Sequence, residues 1–199
     1  MRNRGFTLIE MLVVIGIIGI LVAATLAGVS SVSRAAQRAR AADLTQQVAQ
    51  ALSAMYADKD GQWPKRIAMV GERGGRLNDI AAYPFVGGDR QYLSLDHSGG
   101  HLCGYDRFGV LDPWGLEIAK RSGNAVTLKA VENHLLWFAV DVDGDGIISG
   151  ANVGGESLNV RATAIVWGAG ADGKMEPYSK GLKKDDVYSW TVGQTRDVK

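Results

Sequence analysis

Asp141, Asp143 and Asp145 stand at alternate positions and are followed by Gly146, Ile147 and Ile148. Carboxylates at positions 1, 3 and 5, glycine at 6 and an aliphatic residue at 8 form the first part of a calcium loop of EF-hand spacing. Alternate side chains of such a tightening loop converge on one hard cation, and Gly146 allows the sharp turn. The backbone carbonyl of Ile147 supplies the position-7 oxygen. Position 12 is Asn152, so the usual bidentate carboxylate is missing. Glu156 lies four residues further and substitutes only if the loop bulges. The same residues also suit a plain polar turn between two strands. A second chemical feature is Glu10, one acid just inside the run from Phe6 to Val29 that otherwise lacks charge. A carboxylate at the centre of a membrane span costs roughly 2.5–3.5 kcal/mol, which makes it a functional hypothesis by default. Catalytic chemistry has little support. His97, His101 and His134 are scattered, and Cys103 near His101 is an incidental pair in a glycine-rich stretch. We expect no enzyme.

These residues need elements to hold them. The run after Glu10 is long enough to cross a bilayer, since about 20 apolar residues suffice at 1.5 Å each. A secretory signal peptide is the competing reading, with Val22-Ala23-Ala24 as its cleavage site, but a signal core is shorter and normally carries no acid. Arg2 and Arg4 precede the run and Arg34, Arg38 and Arg40 follow it, so charge alone leaves orientation open. Beyond it, Leu44, Val48, Leu52 and Met55 fall at helical spacing. The spacing predicts one helix over residues 6–57, roughly 75 Å long, transmembrane to about residue 29 and amphipathic after it. Gly61 stops it and Pro64 follows.

Residues 58–199 are expected to form one globular domain. Residues from about 65 to 125 read as irregular. Strands are expected at 126–130, 135–140 and 160–167, giving an α+β fold: a long amino-terminal helix packed on a small antiparallel sheet with calcium-binding loops. A net charge of +1 gives no support for nucleic-acid binding. With Cys103 as the single cysteine, no intramolecular disulfide forms.

The order Gly5-Phe6-Thr7-Leu8-Ile9-Glu10-Met11-Leu12-Val13 resembles the processing signal of type IV pilins and type II secretion pseudopilins. The resemblance implies that a prepilin peptidase removes residues 1–5 on the cytoplasmic side and methylates Phe6. It implies an inner-membrane protein with a cytoplasmic leader and a periplasmic carboxyl-terminal domain. Glu10 would then meet the freed Phe6 amine of a neighbouring subunit in a homo-oligomeric filament. Ala27 lies where many members carry a proline. Trp63-Pro64, Asp112-Pro113-Trp114-Gly115 and the tail Gly170-Ala171-Asp172-Gly173-Lys174…Asp185-Asp186 resemble the major pseudopilin. That family holds a structural calcium ion in its tail loop, which implies Asp172 and either Asp185 or Asp186 as ligands; the alternative is a solvated acidic loop. The implied function is a structural subunit of a secretion pseudopilus, with minor pseudopilins, an inner-membrane assembly platform and membrane lipid as further partners. A type IV pilin of an adhesive or motility fibre is the alternative, although the usual pilin has a carboxyl-terminal disulfide loop that a lone cysteine cannot make. A membrane-tethered periplasmic calcium-binding protein is another.

Overall fold

A computed structural model describes residues 7–86, 90–94, 105–106, 109–181, 185–190 and 195–196. Gly5, Phe6, His97, His101 and Cys103 lie outside the described residues.

The helix expected over 6–57 is α1, Leu8–Asp58. It passes Ala27 without interruption, as a run free of proline allows. Its amino-terminal part, Leu8–Thr25, is long and apolar enough to cross a membrane. Large apolar side chains there, including Ile9, Ile15 and Ile20, are exposed around the helix, as expected of a helix whose solvent is lipid.

The carboxyl-terminal part is amphipathic. Leu44, Val48, Leu52 and Met55 are buried, joined by Ala41, Thr45 and Ala51. That stripe meets Leu77, Phe138, Val140, Ala164 and Val166 in one apolar core. At the end of α1, Asp60 and Gly61 take positive φ, and Gly61 N–H returns to the Tyr56 carbonyl at 3.0 Å.

Short elements follow: α2 (Lys65–Ala68), β1 (Gly75–Arg76), α3 (Asp79–Val86), β2 (Tyr105–Asp106), β3 (Gly109–Val110), α4 (Pro113–Ser122) and α5 (Leu128–Val131). Among its described residues, the stretch read as irregular therefore holds three α-helices and three short strands. α4 follows from Asp112, which caps it, and from Pro113 at its first turn. The strand expected at 126–130 is corrected: Val126 and Thr127 follow a 3₁₀ turn at Gly123–Ala125, and Leu128–Ala130 belong to α5. Val126 and Val131 are buried but Thr127, Leu128, Lys129 and Ala130 are exposed, and this five-residue spacing does not suit a strand face.

The sheets occupy the second half of the chain. β4 (Trp137–Val140), β5 (Ile148–Val153), β6 (Glu156–Val160), β7 (Ala164–Gly168), α6 (Tyr178–Gly181), β8 (Val187–Tyr188) and β9 (Thr195–Arg196) complete the fold. An antiparallel sheet runs β1-β4-β7-β8, and a second runs β5-β6-β9. The strand expected at 160–167 is two strands parted at 161–163, with Val160 in the second sheet and Ala164 in the first.

Both faces of the first sheet are covered. Phe138, Val140, Ala164 and Val166 face α1. Ala139, Ile165 and Trp167 pack on Ile148, Val153, Leu158 and Val160 of the β5–β6 hairpin. Burial on both faces explains why Leu135–Val140 reads as a continuous apolar run instead of an alternating one. The β5–β6 turn is Gly154-Gly155, both at positive φ, which suits a two-residue turn between twisted strands. The arrangement is α+β, a long amino-terminal helix whose carboxyl-terminal part packs on an antiparallel sheet.

Candidate functional site

Glu10 sits in the first turn of α1. Its carboxylate accepts hydrogen bonds from Thr7 N–H at 2.8 Å and Thr7 Oγ1 at 2.7 Å, while Glu10 N–H donates to Thr7 Oγ1 at 3.4 Å. This is a reciprocal capping box, Thr-x-x-Glu. It holds the negative charge at the positive end of the helix dipole. The same carboxylate is exposed, so it remains open to a second partner.

The aspartate loop joins β4 to β5. Asp141 is buried, and its two oxygens accept from Gly144 N–H at 2.7 Å and Gly146 N–H at 2.8 Å. Gly144 and Gly146 both have φ near +80°, which the loop needs to turn those N–H groups inward. Asp143 and Asp145 are exposed and bond locally to Asp145 N–H and Ile147 N–H. The loop is fixed to the end of α1: Trp63 Nε1–H donates to the Asp141 carbonyl at 2.5 Å, and the Trp63 and Tyr56 rings pack at a tilt with centroids 4.6 Å apart.

Sequence reasoning missed one residue here. Glu72, 69 positions before Asp141, brings a carboxylate oxygen to the loop, so that Glu72, Asp141 and Asp143 each offer an oxygen within 4.8 Å of the others. No spacing rule links Glu72 to the loop. Its place is set by Glu72 Oε2 accepting Ser149 N–H at 2.8 Å across the turn. Asp145 is not part of that three-carboxylate group. Asn152 and Glu156 lie outside this group of carboxylates. The chain has already entered the hairpin, where Asn152 pairs with Ser157 and accepts Gly155 N–H, and Glu156 accepts Ser179 N–H. The chemistry of Glu72, Asp141 and Asp143 suits a hard oxygen-seeking cation.

The tail loop is organised differently. Asp185 Oδ2 accepts from Ala171 N–H at 2.6 Å and Asp172 N–H at 3.1 Å, tying the two acidic segments together. Asp186 is buried. Its Oδ2 accepts Glu176 N–H and Tyr188 O–H, while its Oδ1 is buried with no partner. Burial pushes the Asp186 carboxyl up to about 6, against the two hydrogen bonds and with the neighbouring charges of Asp185 and Asp172 adding to the rise. An orphaned buried carboxylate oxygen among acids has the chemistry of a ligand for a hard cation. Among the described residues these three do not gather as closely as Glu72, Asp141 and Asp143.

Beside the tail lies a pair absent from the sequence reading. Asp112 Oδ1 accepts Gly115 N–H at 2.7 Å, capping α4, and Oδ2 lies 3.1 Å from His134 Nδ1. Asp112 is fully buried and His134 is buried. Burial raises the Asp112 pKa above the usual aspartate range, against the opposing effect of His134. Burial lowers that of His134, but the hydrogen bond and charge of Asp112, with Asp172 behind them, leave it raised. The Asp112–Gly115 step thus has a structural role: cap, helix start, and a glycine whose missing Cβ leaves room for His134 Cβ.

Residues 1–26 match the family model described as the prokaryotic N-terminal methylation motif. The chain carries a type IV pilin-like prepilin signal. That motif, with the apolar start of α1, indicates a pilin-like or pseudopilin-type protein handled by prepilin peptidase and directed to pilus-like assembly. It is consistent with membrane anchoring through Leu8–Thr25. No curated protein and no solved structure matches the chain.

Proposed function

We propose that this prepilin-type protein is a structural subunit of a type II secretion pseudopilus. Prepilin peptidase cleaves after Gly5, Phe6 becomes the methylated amino terminus, and the subunits stack through α1 into a periplasmic filament that drives protein export. The observation that carries the reading is the methylation motif over residues 1–26 running directly into an uninterrupted helix. The exposed Glu10 carboxylate supports an assembly role for the acid. Left alone in lipid a carboxylate is costly; paired with the Phe6 amine of a neighbour it is neutralised, and the penalty for leaving it unpaired selects the register of stacking. The subunit itself does no chemistry.

Calcium is proposed as a structural ion. Glu72, Asp141 and Asp143 would hold it in the β4–β5 loop, and Asp172, Asp185 and Asp186 in the tail. Its chemistry would be charge neutralisation of clustered carboxylates, and binding to the folded state alone adds RT ln(1 + [L]/Kd) to stability. Replacement of Glu10 by alanine tests the assembly reading: the subunit is processed but no filament forms. Filaments of normal length and number from Glu10→Ala would sink the pairing of Glu10 with Phe6.

A further inference from the structure

Large apolar side chains are scarce on the described surface of residues 38–199, and two of them border one stretch: Met69 is 86% exposed and Tyr83 is 53% exposed. Between the end of α1, α2 and α3 lies a cleft of about 330 Å³. Its walls are Pro64, Pro84, Tyr83 and Tyr92, four rigid rings that offer contact area at little conformational cost. A second depression of about 230 Å³ borders it, with Met69, Val70 and Ala81 along its sides. Arg66 lines both. Two depressions that share a lining side chain suit an extended chain better than one compact molecule.

The charges of the groove are unequal. Asp58 is its carboxylate, and both oxygens are engaged: one pairs with Arg90, and the other accepts Tyr92 O–H at 2.5 Å. Arg76, at the far end, pairs with Glu132 at 3.2 Å and lies over the Trp137 ring at 5.5 Å. Arg66 and Lys59 line the first cleft with no ion-pair partner among the described residues. A guanidinium takes a carboxylate in a bidentate fork, and arginine with aromatic residues is the composition enriched at protein interfaces.

We propose that this groove binds an extended acidic peptide segment of another protein. Carboxylates meet Arg66 and Lys59, and an apolar side chain between them enters the space bounded by Pro64, Pro84 and Tyr83. The inference stands apart from calcium and from the assembly role of Glu10, since none of those residues lines the groove.

The test uses the full chain in neutral detergent micelles and a fluorescein-labelled peptide, Asp-Glu-Tyr-Glu-Asp, read by anisotropy. The amide counterpart, Asn-Gln-Tyr-Gln-Asn, is the control. The expected result is saturable binding of the acidic peptide alone. It weakens as salt rises from about 0.1 M to about 1 M, over which the screening length falls from about 10 Å to about 3 Å. Arg66→Glu weakens it by about tenfold or more, equivalent to about 1.4 kcal/mol. Tyr83→Ala, at an exposed position, weakens it with the circular dichroism unchanged. Absence of saturable binding, equal affinity for the amide peptide, or indifference to both variants would overturn the proposal. So would a change in the association state of the peptide-free chain caused by Arg66→Glu, which would assign the groove to contacts between copies.

Discussion

Asp141, Asp143 and Glu72 are predicted to separate into different roles under substitution. Asp141 is buried and its carboxylate accepts two loop N–H groups at 2.7 and 2.8 Å. Hydrogen bonds to a charged group contribute about 1.5–3 kcal/mol each, and two to one carboxylate overlap in effect. Asp141→Ala should therefore lose about 3 kcal/mol even in chelator, a fall in Tm of about 6–12 °C at about 2–4 °C per kcal/mol for a chain of this size. Asp143 is exposed and accepts one bond at 3.3 Å. Asp143→Ala should cost under about 0.5 kcal/mol in chelator, as an exposed substitution does. Glu72→Gln keeps an acceptor for Ser149 N–H and removes one of three crowded charges. Its stability in chelator should stay level or rise slightly. Calcium ends that tolerance in the last two. At about 100 times Kd it adds about 2.7 kcal/mol to the parent chain, and Asp143→Ala and Glu72→Gln should both lose most of that gain. The assay is thermal unfolding of the detergent-solubilised full chain, with calcium and with chelator. Asp141→Ala as stable in chelator as Asp143→Ala would refute the hydrogen-bond argument. A full calcium response from Glu72→Gln would refute the three-carboxylate site.

Gly115→Ala should destabilise by about 1–3 kcal/mol, because the added Cβ lands on His134 Cβ; urea unfolding checks it, and a neutral result would contradict the packing. For His134 the folded pKa lies above its ordinary 6.5. The stability it contributes is present below 6.5 and is lost as pH rises through the raised value. Denaturant midpoints in chelator should decline as pH rises from about 6.5 through the raised value, and His134→Gln should flatten the decline; an unaltered slope would show that another group titrates there.

The parts of the fold legible in the sequence are those governed by local pattern. Leu44, Val48, Leu52 and Met55 form a single stripe, and Gly61 with Pro64 ends it, so α1 appears within two residues of its expected start. Asp112-Pro113 also spells a helix start, a local signal for α4 inside a stretch that otherwise reads as irregular. Val126–Ala130 misled because alternation over five residues does not distinguish a strand from a buried pair five apart. The metal-like group was half legible. Asp141 and Asp143 sit on one loop, whereas Glu72 arrives through packing of the β1-preceding turn, a contact no local rule encodes. The Asp112–His134 pair is hidden for the same reason, its two members 22 residues apart and joined only when Gly115 lets them close.

The central claim is that the chain is a processed, pilin-like subunit. Mass spectrometry of the mature amino terminus, from cells that carry a prepilin peptidase, tests it most directly. The account predicts a chain that begins at Phe6 and bears one methyl group on its amine. A mature chain that keeps Met1–Gly5, or one cut near Val22-Ala23-Ala24, would contradict it.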